Sequence, residues 1–215
     1  LYNRSISGRG EHVDYSMAEA LCASMPEAIM DYQMAGRVGK GIGNRDRHFV
    51  PHGVYRCLGP DRWVAIAVTT NEEWLALCDI IGRPDMAADS SLRDPDSRRE
   101  LEDELDAAVT GWTNSHEDYE AMHMLQEAGV PAAPYLDPSR VLADPHLRDE
   151  GYFTSMVTSD GETRDFAGLP WRFDDFVPNF TPAPILGQHN EYVYQGLLGL
   201  SIDEVDALVA EGVIY

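Results

Sequence analysis

Val64, Ile66 and Val68 alternate with Ala65 and Ala67 in a run from Trp63 to Thr69. Successive side chains of a strand point to opposite faces, so such a run needs a partner strand and a layer covering its apolar side. The partner is predicted upstream over Gly53–Cys57, joined to it by a turn at Gly59-Pro60-Asp61. Helical patterns lie on both sides of this pair. Short strands set among helices argue for an α/β or α+β fold over an all-α bundle.

The helices are read from caps and periodicity. Ser16 with Glu19 forms a capping-box pattern that starts a helix over Met17–Met34, its apolar face at Leu21, Met25, Ala28, Ile29 and Tyr32. Pro26 lies inside it and should kink or split it. A short strand is expected just before, at Val13 and Tyr15. Further helices are predicted over Asn71–Ile81 with Asn71 as cap, over Ser97–Thr110 on Leu101, Leu105 and Val109, and over Ser115–Ala128. Pro84–Pro95 reads as a polar connection and Val130–Tyr135 as extended chain. Pro138–Ala143 is a short helix, and Asp144-Pro145-His146 a turn. A hairpin of Gly151–Thr158 and Thr163–Ala167 turns at Asp160-Gly161. Gly168–Pro184 is irregular, and helices over Asn190–Leu198 and Ser201–Glu211 follow.

Composition excludes several classes of function. Thirty-seven acidic residues against 16 basic ones give a formal charge of −21, which repels polyanions and argues against a nucleic-acid partner. The acids are spread out, as suits a solubilising surface and not a binding tail. Cys22, Cys57 and Cys78 are odd in number, form no CxxC pair and read as small buried hydrophobes in a reducing compartment. With no metal-ligand spacing among the seven histidines, no metal is expected. No apolar run is long enough to span a membrane, and the opening residues Tyr2, Asn3, Arg4 and Ser5 do not look like a leader. A cytoplasmic location is expected. A length of 215 residues suits one domain or pieces of two.

Against this acidic background the stretch from Gly36 to His48 stands out, carrying Arg37, Lys40, Arg45 and Arg47. Gly39, Gly41 and Gly43 follow a predicted helix. A dinucleotide fingerprint would open one after a strand, so they read as a flexible linker. Ser16 sits in no GxSxG elbow, which leaves hydrolase chemistry without support.

Four segments together are similar to the class III CoA-transferases, the family of formyl-CoA transferase, carnitine CoA-transferase and acyl-CoA racemases. They are Ser7–Ser16, resembling a TGxGxxVDVS segment before a long helix; Pro51–Cys57 with Asp61–Ala67; Ala128–Pro134 with Leu142–Leu147; and Ala183–His189 through Ser201 to Gly212-Val213-Ile214. The resemblance implies a small α+β domain (51–167) flanked by pieces of a Rossmann-like large domain (1–50 and 168–215), in an interlocked-dimer fold. It implies CoA transfer between an acyl-CoA and a carboxylic acid through an aspartyl anhydride and thioester. Coenzyme A is then a substrate and no resident cofactor is implied. The nucleophilic aspartate of the family precedes the segment matched by Ser7–Ser16, so no catalytic residue is expected in this chain. Asp14 belongs to the matched segment itself.

The loop Arg45–Gly53 corresponds in the resemblance to the glycine-rich loop that shields the acyl intermediate, and of its glycines it keeps Gly53. Arg47, His48, His52 and Gly53 are therefore the substrate-binding candidates: the imidazoles could hydrogen-bond a carboxylate while Arg47 supplies charge. The competing reading is that these are loop residues with local bonds. For the whole chain the alternatives are a non-catalytic subunit or degenerate paralogue, and part of an acyl-CoA racemase. The implied partner is a second copy or a chain carrying the N-terminal half.

Overall fold

In the computed structural model, which describes residues 1–214, a helix not predicted above opens the chain: Tyr2–Ser7 (α1), closed by Gly8 at a φ of 70°. Val13 and Tyr15 form no strand, for a strand needs a hydrogen-bonded neighbour and none of the described strands pairs with them. Ser16 Oγ accepts the amide of Glu19 at 3.4 Å and starts Met17–Ala23 (α2). Pro26 divides the expected long helix. Lacking an N–H, it serves as the first residue of Pro26–Ala35 (α3). The apolar face of the two helices, with Leu21, Met25, Ile29 and Tyr32, is solvent-exposed, and so is Cys22.

His52–Arg56 (β1) and Trp63–Ala67 (β2) pair antiparallel, with Val54 opposite Ala65 and Tyr55 opposite Val64. Gly59 takes the turn at a φ of 103°, where a side chain would be strained. Asn71–Ile80 (α4) is capped one residue earlier than expected, by Thr70. Thr70 Oγ1 accepts the Glu73 amide at 3.2 Å, and Glu73 Oε2 accepts the amides of Thr70 at 3.1 Å and Thr69 at 2.6 Å.

Burial raises the pKa of Glu73, but the donors from Thr69 and Thr70 outweigh it and hold the carboxyl below its ordinary value. A carboxyl whose pKa falls on folding adds stability above its unfolded value, roughly 4.3, and loses it as pH drops through the folded value. Glu73→Gln is expected to flatten that part of the stability curve, read as the urea midpoint against pH. An unchanged curve would remove Glu73 from the acid transition.

The expected polar connection holds two helical turns, Pro84–Ala88 (α5) and a 3₁₀ turn at Ser90–Arg93, which bury Met86 and Leu92. Next, Pro95–Glu100 (α6) and Glu102–Thr113 (α7) meet at Leu101, a break in what looked like one helix. Asp118–Glu127 (α8), capped by Glu117 with Glu120, starts three residues later than expected, and the hydroxyl of Ser115 donates to the carbonyl of Trp112 at 2.7 Å. Ala132–Pro134 (β3) adds antiparallel to β2 and gives the sheet order β1-β2-β3. Val64 and Ile66 pack in one cluster with Trp74 and Leu77 of α4, Leu105 and Val109 of α7, and Leu125 of α8. Cys57 and Cys78 are buried in that cluster, where burial pushes both thiols up to about 11.

The chain divides into two units, Leu1–Tyr135 and the residues from Leu136 on. In the second, Pro138–Ala143 (α9) and Pro145–Asp149 (α10) are consecutive helices, so the expected turn at Asp144 is a helix start: its carboxylate accepts the Leu147 amide at 2.9 Å. Phe153–Val157 (β4) and Thr163–Ala167 (β5) form the predicted hairpin, with Asp160 accepting from the Glu162 amide at 3.2 Å in the turn. Residues 168–184 hold no helix or strand. A π-helical stretch, Glu191–Leu197, precedes Ile202–Ala210 (α11), whose capping box is Ser201 with Glu204. Among the described residues no helix is long and apolar enough to cross a membrane.

Candidate functional site

The basic loop after α3 is held in place by α6 and α7. Arg45 donates to Asp106 Oδ2 at 2.8 Å and to the carboxylate of Asp103, and lies 3.7 Å from Glu102 Oε2. Its hydrogen bonds to Asp103 and Asp106 raise the pKa of this guanidinium still further above its ordinary range. From α6, Arg99 donates to the carbonyl of Asp46 at 2.8 Å and to that of Arg47. The Asp46 carboxylate accepts the amides of His48 at 2.7 Å and Phe49 at 3.1 Å, and the His48 bond is the larger cause of its lowered pKa. Loop 44–49, which follows the glycines read as a flexible linker, is therefore tethered through backbone and side chains.

The four candidate residues fall into two clefts. Arg47 and His48 line one of about 720 Å³ with Asp31, Arg37 and Gly39. In it the Arg47 guanidinium lies 3.5 Å from Asp31, whose carboxyl is held low chiefly by its hydrogen bond from Arg37. His52 and Gly53 line the other, of about 530 Å³, with Asn44, Arg45 and the small side chains Ala65, Ala67 and Ala133 of the sheet. A Cβ on Gly53 would come within 3.1 Å of the Tyr55 ring, so a larger residue here requires that ring to move by a few tenths of an ångström.

His52 has a defined proton. Its Nδ1 lies 2.8 Å from the carbonyl oxygen of Asn44, which can only accept, so Nδ1 carries the hydrogen. In the neutral ring Nε2 is then a bare acceptor, suited to a hydroxyl or amide N–H. It can receive a carboxylate only as imidazolium. Two further histidines stand elsewhere: His146 lines an aromatic cleft with Tyr152, Trp171 and Phe173, and His189 lies in a groove with Ile185 and Tyr194.

Asn44, Arg45, Tyr55 and Asp106 were not among the predicted site residues. One signal could have found Arg45 and Asp106. Glu102, Asp103 and Asp106 place acids within one turn of a helix, and Glu102 with Asp106 stands at the i,i+4 spacing that shares a face. A basic loop in an acidic chain is the natural counterpart of such a face.

Comparison with known proteins decides the family. The sequence profile of CoA-transferase family III matches residues 1–190. The chain belongs to CoA-transferase family III. A probable CoA-transferase of Mycobacterium tuberculosis is 30% identical over 220 residues, taking in 100% of this chain and 27% of that protein. A succinyl-CoA–D-citramalate CoA-transferase of Chloroflexus aurantiacus is 29% identical, over 100% of this chain and 53% of that one. The chain thus spans about half the length, or less, of these relatives. In structure it is similar to a CAIB/BAIF family protein from Brucella suis, with a TM-score of 0.75 at 21% identity over 91% of this chain and 50% of that one. The mixed α/β architecture with small sheets is therefore a family III fold.

Proposed function

We propose that this family III chain supplies the loop and small sheet that face the acyl end of the thioester in an enzyme moving CoA between an acyl-CoA and a carboxylic acid. The family match over residues 1–190 carries the reading. In the proposed reaction an aspartate outside these 215 residues attacks the acyl-CoA carbonyl. The C–S bond breaks, CoA leaves as thiolate, and a mixed anhydride forms. The thiolate then attacks the aspartyl carbonyl and displaces the acyl group as its carboxylate, leaving an aspartyl thioester. The acceptor acid attacks that thioester, the thiolate leaves once more, and its attack on the acyl side of the second anhydride gives the new acyl-CoA and frees the aspartate. Each covalent stage divides one difficult acyl transfer into easier ones.

His52, as imidazolium, and the Arg47 guanidinium are proposed to bind carboxylate oxygens of the acid, while Gly53 lets the acyl group approach the strand backbone. CoA acts as substrate, with no resident cofactor. Its phosphates are proposed to bind residues beyond this chain, because a protein of formal charge −21 opposes a polyphosphate. An interlocked second copy, or a chain carrying the N-terminal half, completes the site in the cytoplasm.

The test is to incubate the pure chain with succinyl-CoA and a second dicarboxylic acid, alone and beside a chain carrying the N-terminal half. The chain alone should show no CoA transfer. The mixture should turn over, and hydroxylamine should trap the aspartyl thioester on the added chain as a hydroxamate, releasing CoA. Turnover by the pure 215-residue chain would overturn the placement of the nucleophile.

A further inference from the structure

The contacts around His52 close into a ring. His52 Nδ1–H donates to the Asn44 carbonyl at 2.8 Å. That carbonyl belongs to the peptide unit whose nitrogen is that of Arg45, and the Arg45 side chain reaches Asp106 Oδ2 at 2.8 Å. The other oxygen of the same carboxylate, Oδ1, accepts the hydroxyl of Tyr55 at 2.9 Å. Tyr55 lies on β1 three residues after His52 and is buried, only 4% exposed. One carboxylate of α7 therefore ties together the loop that orients the imidazole and the strand that carries it.

We propose that Arg45 and Asp106 are positioning residues for His52, setting its tautomer and ring orientation through the Asn44–Arg45 peptide. This rests on the reading of His52 as a substrate-binding group only for its biological purpose; the positioning itself is a separate claim. A planar guanidinium shared among Asp106, Asp103 and Glu102 fixes a backbone unit better than a single contact would, because its donors form a rigid fork. Of the three acids Asp103 lies in solvent, whereas Asp106 is partly buried and Glu102 buried, so the Arg45–Asp106 hydrogen bond is the sheltered contact of this cluster. A merely structural ion pair would leave the imidazole proton where it is. A positioning pair controls it.

The test reads the proton directly. Long-range nitrogen–proton NMR correlations assign the His52 tautomer with the ring neutral, about two pH units above the ordinary imidazole value of ~6.5. The chain itself should show the Nδ1–H form. Arg45→Gln should lose it, giving a mixture with Nε2–H, and Arg45→Lys should restore it in part. Asp106→Asn keeps shape and removes the charge; it should give the same loss and answers the question if Arg45→Gln fails to fold. Retention of the Nδ1–H form in folded Arg45→Gln or folded Asp106→Asn would overturn the proposal. Titration of each protein with succinate at a pH well below the ordinary imidazole value, where the ring is an imidazolium, separates the two claims. Tautomer loss in the variants without succinate binding to any of them would leave the positioning intact and count against the carboxylate reading. Succinate binding that is unaffected by variants retaining Nδ1–H would do the reverse.

Discussion

Trp74→Ala is expected to leave the first unit largely unfolded, or within reach of unfolding, at ambient temperature. Trp74 is 1% exposed at the centre of the cluster formed by the sheet, α4, α7 and α8. Truncating a buried tryptophan costs about 3–5 kcal/mol, from lost transfer free energy together with the cavity left behind. Whole domains are stable by only about 5–15 kcal/mol, so one substitution removes a large share. A second cost adds to it. Arg98 is 1% exposed, and its guanidinium carbon lies 5.3 Å from the Trp74 ring centroid. Desolvation already depresses its pKa, and apart from the ring the guanidinium has hydrogen bonds to Asn71 Oδ1 at 3.1 Å and the Leu92 carbonyl at 2.9 Å. Removing the ring takes away the π face that compensates a buried cation. Urea titration of the chain followed by circular dichroism checks this; a midpoint within error of the parent would refute the central role given to Trp74. Trp74→Phe, which keeps an aromatic face, should lose distinctly less.

Gly168→Ala is expected to destabilise the second unit by about 1–3 kcal/mol, the usual range for forcing extra volume into a packed position. The added Cβ would stand 2.5 Å from the Tyr152 carbonyl oxygen, and both are fixed because the Gly168 amide donates to that same oxygen at 2.8 Å. Relief requires opening the base of the β4–β5 hairpin, where Phe153 pairs with Ala167. The readout is hydrogen exchange of the hairpin amides, which should speed up at the base while those of α4 and α7 stay as they were. Unaltered exchange at Phe153 and Ala167 would show that the backbone adjusts at no cost.

The sequence was most legible where the signal is local. Both hairpins were readable, because strand alternation and the turns at Gly59 and Gly161 are properties of a few neighbouring residues. Pro26 divided a helix for a reason carried by its own missing N–H. The cap of α4 fell one residue off, since Thr70 and Asn71 are both good caps and only the reciprocal bond from Glu73 chooses between them. The segment from Pro84 to Pro95 hid two helical turns because its apolar residues, Met86, Ala87, Ala88 and Leu92, are too few to show a period that would reveal that Met86 and Leu92 face the core.

The candidate site was legible in part for the same reason. His52 and Gly53 stand in a cleft beside the sheet, and Arg47 and His48 in another. What orients His52 was not read: a basic loop and an acidic helix face were both visible, but no periodicity pairs a given loop arginine with a given helix aspartate.

Arg45 and Asp106 are 61 positions apart. The hydrogen bond from His52 to Asn44 spans eight residues, and in isolation so short a loop would have little to hold it. The geometry of this imidazole is thus inherited from the tertiary structure: it needs α7 docked against β1, with Arg99 of α6 holding the rest of the loop. Any event that lifts α7 away, whether local unfolding or a cut in the segment between them, releases the histidine as well, although nothing near it in sequence has been touched.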